Sequence, residues 1–578
     1  MYFKLKEGRS TDDANQALIA IYKKYYSDLK LETRDKGYEF YLHPLNEITP
    51  GPELSNQMGS GMPTFLLIFL GTLAGLVLIM SVFNFTNLMI AKSLTRAREI
   101  GVRKIVGAKR VQVFIQFVAE TITFSLISLV FSYLLLQFLK TGYLQLPLNE
   151  EFSMSLEEDV SLYFIFIGFA IVVGIMAGLL PAGYLSAFRP LNVLKDSGNI
   201  KVYSRLTFRK VLMVTQFSFS VIFVIVVLII YRQIDFMLTA DYGFTQKDIL
   251  NVRLQGVDFG KIANEVRSLS GVVSVGGVSH KLGTWSDRSS DYKRYKEDES
   301  FVMRDFLVDD NYISNLDLTF ASGKNFDATE QGQREKHVIL NEAALTQFGF
   351  ADRVEAIGKT IFVDDSVMLQ VIGVVKDFHF RPMNSKIGPL ALRYKTDELN
   401  FLSAKIAPSQ KETVIAAIQT IWKKLDPIHT IDYMMLEEEI DDAYRQAGMK
   451  DILIIVGYIT FLAVTLACLG MLGMAMYATQ IRVKEVGVRK VMGASVLDVV
   501  VLLSKSFMLL IGLAVVIGVP VSIFLGGFFL DLYAYKIQIT PLLILTGISV
   551  IAVLGLLTIC SQTIKAAVSN PVKSLRYE

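Results

Sequence analysis

Cysteine is nearly absent. Cys468 and Cys560 are the two in 578 residues, too few for a disulfide scaffold. Both lie in apolar runs, where cysteine acts as a small buried hydrophobe. Histidine is scarce as well, five in all, and no two stand at a metal-ligand spacing such as His-x3-His. Charged residues make up 20% of the chain, against about 25% in ordinary soluble proteins. Net charge is +3, which excludes a disordered tail and a nucleic-acid binder with a large basic excess. No nucleic-acid partner is expected. Catalytic signatures are missing too. There is no Gly-x-Ser-x-Gly elbow and no His-Glu-x-x-His helix. A phosphate-cradling loop needs Gly-x4-Gly-Lys-Ser/Thr. The nearest fragment, Ser322-Gly323-Lys324-Asn325, lacks the earlier glycine and carries Asn325 in place of Ser or Thr. The chain is therefore expected not to be an enzyme, and to bind no metal and no cofactor of its own. Met1–Ser10 has no apolar core, so no secretory signal is legible there.

What the sequence does have is apolar length. Hydrophobic residues reach 52% and mean hydropathy is +0.42. A bilayer core of about 30 Å needs about 20 apolar residues per helix. Seven stretches qualify: about Thr64–Ala91, Val111–Leu139, Ser161–Phe188, Val211–Tyr231, Ile452–Tyr477, Val499–Leu530 and Pro541–Ile564. The charges missing from them collect between them. Residues 92–110 carry Lys92, Arg96, Arg98, Arg103, Lys104, Lys109 and Arg110 against Glu99. Residues 189–210 carry six basic residues against Asp196, and a third loop carries Arg482, Lys484, Arg489 and Lys490. By contrast 149–159 is acidic. Basic loops stay in the cytoplasm, so residues 1–62 and 233–449 fall outside. The lipid bilayer is the first partner the sequence implies.

An internal repeat organises the chain. Residues 98–108 run Arg-Glu-Ile-Gly-Val-Arg-Lys-Ile-Val-Gly-Ala, and 386 residues later 484–494 run Lys-Glu-Val-Gly-Val-Arg-Lys-Val-Met-Gly-Ala. Each copy follows one long apolar helix and precedes another. The third helices end in similar tails, Pro190–Lys195 and Pro571–Arg576, and Ile21–Lys24 resembles Ile421–Lys424. One repeat unit is a helix, an outside domain, then three helices. The second unit is complete, whereas residues 1–62 match only the tail of an outside domain. The expectation is a chain shortened at its N-terminus.

The outside segment 233–449 mixes two periodicities. Asp248–Leu254 alternates in the strand manner, Ser366–Val375 is rich in β-branched residues, and Glu412–Leu425 has helical spacing. An α+β domain is expected, with two subdomains and surface loops near Ser279–Arg294 and Asp327–Lys336. Asp377-Phe378-His379-Phe380 is taken as a structural turn after a strand. Inside the spans only Glu120 and Lys505 are charged, both near cytoplasmic ends.

The repeated motif is the candidate site. Glu99 and Arg103, like Glu485 and Arg489, stand at i and i+4, a spacing that supports a helix by about 0.2–0.5 kcal/mol. Gly107-Ala108 and Gly493-Ala494 allow a tight turn into a second, interfacial helix. A short projecting helix present in two halves suits docking to a two-fold partner.

These residues resemble the FtsX-like/MacB-like permease family of bacterial ABC transporters. The two glycine motifs carry the likeness, with Asn84-Phe85-Thr86-Asn87-Leu88, Leu180–Ser186, Arg209–Leu212, Gln216-Phe217, Asn341–Ala344 and Gly373–Phe380. The tandem arrangement is similar to a form common in Bacteroidetes-type bacteria. The resemblance implies an α-helical membrane protein of seven spans with an α+β extracytoplasmic MacB-type core domain. It divides the chain into a remnant of a first periplasmic domain (1–62), a first three-helix FtsX-like unit (63–200), an opening helix (201–232), the periplasmic core domain (233–449) and a second three-helix unit (450–578). It implies a permease subunit of an exporter in the bacterial inner membrane. ATP-Mg would be bound by a separate cytoplasmic ABC ATPase, as a dimer, and its closure would move the outside domain by mechanotransmission. Peptides, antibiotics or lipid-linked molecules would be the cargo, with a periplasmic adaptor as partner. The alternative is a regulatory module that moves a cell-wall hydrolase and transports nothing. The ATPase-coupling residues would be Glu99, Gly101, Arg103, Lys104, Gly107, Ala108 and Glu120, and in the second copy Glu485, Gly487, Arg489, Lys490, Gly493 and Ala494. The coupling helices would be about Gly107–Glu120 and Gly493–Ser506.

Overall fold

The computed structural model describes residues 4–6, 8, 10–25, 40, 42, 44, 45, 50, 51, 64–144, 159–186, 203–327, 335–364, 366–446 and 448–568. The two tails at 190–195 and 571–576 and the acidic stretch 149–158 lie outside the described residues. The chain divides into two compact units. One holds Met1–Glu47, Ile234–Ala447 and Leu532–Lys536; the other holds Ile48–Gln233, Gly448–Asp531 and Ile537–Glu578.

Helix α1 spans Thr11–Tyr25. The first membrane helices are α2 (Thr64–Ile105), α3 (Arg110–Leu144), α4 (Val160–Ser186) and α5 (Tyr203–Thr239). The outside domain then runs β1 (Ile249–Arg253), α6 (Phe259–Arg267), β2 (Val272–Val278), β3 (Arg288–Lys293), β4 (Phe301–Val308), α7 (Tyr312–Asn315), β5 (Phe320–Gly323) and β6 (His337–Asn341). It continues with α8 (Glu342–Phe348), α9 (Arg353–Ala356), β7 (Thr360–Val363), β8 (Val367–Val375), β9 (Leu390–Tyr394), β10 (Phe401–Ile406), α10 (Lys411–Leu425), β11 (Tyr433–Met435) and α11 (Leu436–Gln446). The chain returns to the membrane through α12 (Met449–Ile481), α13 (Val483–Val491), α14 (Val496–Leu530) and α15 (Pro541–Val568).

Among the described residues, seven helices are long and apolar enough to cross a bilayer, within a residue or a few of the expected limits at most ends. Helix α2 has 42 residues. At 1.5 Å per residue it is about 60 Å long, so its basic end projects beyond the hydrocarbon. Helix α5 is the centre of its unit: 67% of its apolar window is buried, against 17–28% for the other six. Its Phe217, Val221, Ile225 and Ile229 pack with Met471 on α12, Ile511 on α14 and Ile551 on α15.

The outside domain has two cores, matching the expected two subdomains. Strand pairings close a ring, β4–β3–β7–β8–β6–β9–β4. Leu340, Val371, Val374 and Ala391 fill it, with Phe348 of α8 packed on them. The second core lies on the open sheet β11–β1–β10–β2, where α6 and α10 bury Ile262, Val266, Ile418 and Trp422. Helix α1 repeats the register of α10, both 15 residues long. Ala14, Leu18, Ile21 and Tyr22 correspond to Val414, Ile418, Ile421 and Trp422, all four buried in α10, whereas α1 has no buried residue.

Strand β3 corrects the expectation of a loop over 279–294. Its sequence, Arg-Ser-Ser-Asp-Tyr-Lys, has no apolar alternation. Pairing with β4 and a buried charge network hold it as a strand. Asp305 on β4 is fully buried, accepts from Arg393 Nη1 at 2.7 Å and forms an ion pair with Arg288 Nε at 3.2 Å. Arg393 also grips Glu335 with two bonds of 2.7 and 2.8 Å.

The Asp377–Phe380 turn follows β8 as expected and gathers aromatic side chains. Phe378 and Phe380 are buried. His379 lies edge-on to Tyr242 and to Tyr535, at 5.8 and 4.6 Å between ring centroids. The Tyr242 and Tyr444 hydroxyls meet at 2.7 Å, and Tyr444 Oη accepts the Met383 N–H at 2.8 Å.

Asp309, one residue past β4, accepts the N–H of Gly277 and of Tyr312, each at 2.9 Å. Arg267 stands 3.5 Å away. Burial outweighs these partners and pushes its carboxyl up to about 6.

Two outcomes are expected in thermal melts of the purified chain. Replacing Arg393 by Leu removes the cation between two buried carboxylates, leaving Asp305 with Arg288 alone, and costs about 3–5 kcal/mol, whereas Leu at Arg445, about half exposed, costs less than ~1 kcal/mol. Asp309 is neutral below pH 4 whether folded or unfolded. Between pH 4 and 6 the native state holds a proton the unfolded chain has released, so its stabilising contribution is lost as pH rises through 6. Asp309→Asn should flatten the stability curve over that interval.

Candidate cytoplasmic docking motifs

The basic residues that leave the hydrocarbon at the ends of α2 and α12 build one structure twice. Each copy is a helix end, a turn at glycine and the start of a new span. In the first, Gly107 N–H bonds Lys104 O at 3.2 Å and Ala108 N–H bonds Arg103 O at 3.0 Å. In the second, Gly493 N–H bonds Lys490 O at 3.1 Å and Ala494 N–H bonds Arg489 O at 3.0 Å. These bonds satisfy carbonyls orphaned at a helix C-terminus. They require a left-handed residue, and Gly107 and Gly493 have φ of +105° and +93°. A side chain disfavours that conformation by roughly 1–2 kcal/mol. The sequence preference for glycine thus has a backbone cause.

The packing beneath also repeats. Ile100, Val113 and Phe117 form a small core under the first turn, and Val486, Val499 and Leu503, at the same register, form one under the second. Helix starts match as well. Gln112 Oε1 accepts Lys109 N–H at 2.8 Å. Ser495 and Asp498, at the equivalent positions, make a reciprocal capping box. This Ser-x-x-Asp signal and Gln112 were legible in the sequence but absent from the expected site.

The ion pairs sit on the outer face. Arg103 reaches Glu99 at 2.6 Å and Arg489 reaches Glu485 at 3.1 Å, with all four side chains roughly half exposed. They are available to a partner and add little to stability. Lys104 instead turns inward, its Nζ donating to Ser186 O at the end of α4 at 2.7 Å. Desolvation first, then the Arg110 charge, lower its pKa. Gly101 and Gly487 lie within helices α2 and α13.

Two features depart from expectation. The helix after each glycine is not a separate interfacial helix. It is the first turns of α3 and α14, each of 35 residues without a break. The apolar run continues unpunctuated from Val111 and Val496, so nothing ends the helix. In the second copy the break comes before the motif, at Arg482, which leaves α13 as a nine-residue helix of its own. The copies also differ chemically. Arg103 bonds Gln116 at 2.8 Å, and Glu99, Arg103, Gln116 and Glu120 line a cavity of about 250 Å³. Leu502 and Ser506 hold the places of Gln116 and Glu120 in the second copy.

With this geometry in view, comparison with known families is decisive. The model described as FtsX-like permease C-terminal matches residues 71–190 and 457–571, and the MacB-like periplasmic core domain matches 211–421. The chain belongs to the FtsX-like/MacB-like ABC transporter permease family. It is a multi-pass membrane protein with a MacB-like extracytoplasmic domain, and each repeat of the glycine motif falls in an FtsX-like match. Among curated relatives, the macrolide export ATP-binding/permease protein MacB of Bdellovibrio bacteriovorus is 29% identical over 138 residues, 22% of this chain and 19% of that protein. The MacB of Chromobacterium violaceum is 25% identical over 195 residues, 33% and 27% of the two chains. The chain thus spans about a fifth and about a quarter of the lengths of these two relatives. Similar solved structures include the periplasmic region of MacB from Actinobacillus actinomycetemcomitans, at 16% identity and TM-score 0.27, covering 36% of this chain and 97% of that one. The extracellular domain of the noncanonic ABC-type transporter YknZ from Gram-positive bacteria is 11% identical with TM-score 0.25, covering 32% and 99%.

No atom lies within 4 Å of a Cβ placed at Gly107 or Gly493, so substitution there meets a backbone cost alone. Alanine at either position should lower stability by about 1 kcal/mol, and asparagine by less. Thermal melts of the two single variants check this.

Proposed function

We propose that this chain is the transmembrane subunit of an ABC-type exporter in a bacterial inner membrane. Energy comes from a separate cytoplasmic ATPase, a dimer that binds ATP-Mg. The observation that supports this most is the duplicated cap, ion pair and core at the ends of α2 and α13. Two equivalent rigid features suit the two like faces of a dimer. In this reading residues 63–200 and 450–578 are the paired three-helix units, 201–232 opens the second, and 233–449 is the part that moves. Glu99, Arg103, Glu485 and Arg489 make the exposed contact. Gly107, Ala108, Gly493 and Ala494 fix its angle. Lys104, Lys490, Gly101, Gly487 and Glu120 support the packing behind it. Because α2 continues from the hydrocarbon into the motif without a break, displacement of the motif is carried along a stiff rod into the membrane. Motion passed outward in this way is mechanotransmission, and the cargo is a peptide, antibiotic or lipid-linked molecule taken up outside the membrane.

The test is purification from native membranes with nucleotide retained. A stoichiometric ATPase should accompany the wild-type chain. Arg103→Glu with Arg489→Glu should reduce it about tenfold, roughly 1.4 kcal/mol, with yield and melting temperature little changed. Undiminished co-purification of the ATPase with the double variant would exclude these ion pairs as the contact.

A further inference from the structure

The Asn84–Leu88 segment and Gln216 have no part in the docking motifs, yet they bring buried polar side chains together within the spans. Asn84, Thr86, Asn87 and Gln216 are each at least nine-tenths buried. Asn84 Oδ1, Thr86 Oγ1, both polar atoms of the Asn87 amide and Gln216 Nε2 make no hydrogen bond. Polar groups unpaired in a hydrocarbon environment are costly and rare. Ordinary apolar residues would fill this volume without that cost.

The groups are close and complementary. A Cβ placed at Gly470 of α12 would lie 2.9 Å from Gln216 Oε1, 3.3 Å from Asn84 Oδ1 and 3.4 Å from Gln216 Nε2. The Asn84 carbonyl from α2 and the Gln216 amide from α5 thus flank one point of α12, with Asn84 Oδ1 and Gln216 Nε2 both unsatisfied. The three residues sit at one depth, five or six residues inside the cytoplasmic ends of their spans, about 8–9 Å by helix rise. Glycine lets the helices approach closely here. One helical turn away, a Cβ at Gly473 would overlap Leu88 Cδ2 at 2.3 Å.

We propose that Asn84, Asn87 and Gln216 form a two-state amide seam. In the present arrangement of α2, α5 and α12 its bonds are unmade. In a second arrangement, reached when α2 shifts against α12, Asn84 and Gln216 bond across the seam. The unpaired amides raise the energy of the first state and its close packing at Gly473 and Leu88 offsets that cost, so the two states lie close. The inference does not depend on what docks at the cytoplasmic motifs.

Disulfide trapping in the purified full-length chain tests it. Cysteines replace Leu88 and Gly473, whose side-chain positions meet here, and alanine replaces Cys468 and Cys560. With the seam intact, cross-linking should be partial, because the second arrangement separates the pair. Asn84→Leu with Gln216→Met should bring cross-linking close to completion and raise the melting temperature. An unchanged or smaller cross-linked fraction, or a lower melting temperature in monodisperse protein, would overturn the proposal. Should the double variant not fold, Gln216→Met alone is read by the same two measures. Misfolding of that near-isosteric variant would also overturn the proposal, since an amide without a bond in this state cannot be what holds the helices.

Discussion

Inside a bilayer, a backbone N–H or C=O must find its partner in its own helix or go unpaired. Much of the membrane unit follows from that constraint. The spans run as unbroken helices of 27 to 42 residues. Chain reversals, with their orphaned carbonyls, are pushed to the aqueous edges. A reversal there must satisfy those carbonyls locally and still re-enter the membrane within a few residues. The left-handed glycine turn at Gly107 and Gly493 does both, because it caps one helix while aiming the chain at the next. The basic residues of the motif occupy the same few turns for an electrostatic reason. Cations favour a helix C-terminus and the cytoplasmic face alike. A docking surface of fixed shape and charge thus arises where a membrane helix has to end.

The spans, their orientation and the motif repeat were legible because each rests on a signal within about thirty residues. Length and apolarity identify a span, lysine and arginine orient it, and a φ that suits glycine marks its end. The same held for β8 and α10, where Val367–Val375 and the Val414, Ile418, Ile421, Trp422 stripe announce their periods. Strand β3 was opaque. It has no apolar face of its own, and Arg288 earns its place through Asp305, seventeen residues away in sequence. The closed ring of strands was opaque for a similar reason: the β4–β9 pairing joins residues more than eighty positions apart. An interfacial helix after each glycine was expected from turn chemistry. The apolar run that follows decided otherwise, since a helix that begins at Arg110 has no local reason to stop.

At the candidate site the sequence marked glycine, arginine and glutamate as neighbours, with Glu120 in the first copy alone, but it missed Gln116. The copies differ at Gln116 and Glu120, thirteen and seventeen residues beyond Arg103. About two and three helical turns into α3, these residues come back beneath the motif. Glu120 stood out as a charge inside a span, whereas an eleven-residue pattern could not include Gln116.

The Arg267 and Asp309 pair has a consequence for how the outside domain meets other chains. Strand β2 pairs with β10 along its length but with β4 only at Val278, so one margin would otherwise be open. Unpaired strand margins are templates on which another polypeptide can add a strand. Here Arg267 donates to Val275 O at 3.3 Å. Asp309 takes the Gly277 N–H with its side chain and gives its own N–H to Gly277 O at 3.2 Å. The margin is plugged by one cation, one carboxylate and one peptide group. The domain is thereby guarded along β2 against fusing edge to edge with a neighbour, a hazard for any β-rich domain crowded at a membrane surface.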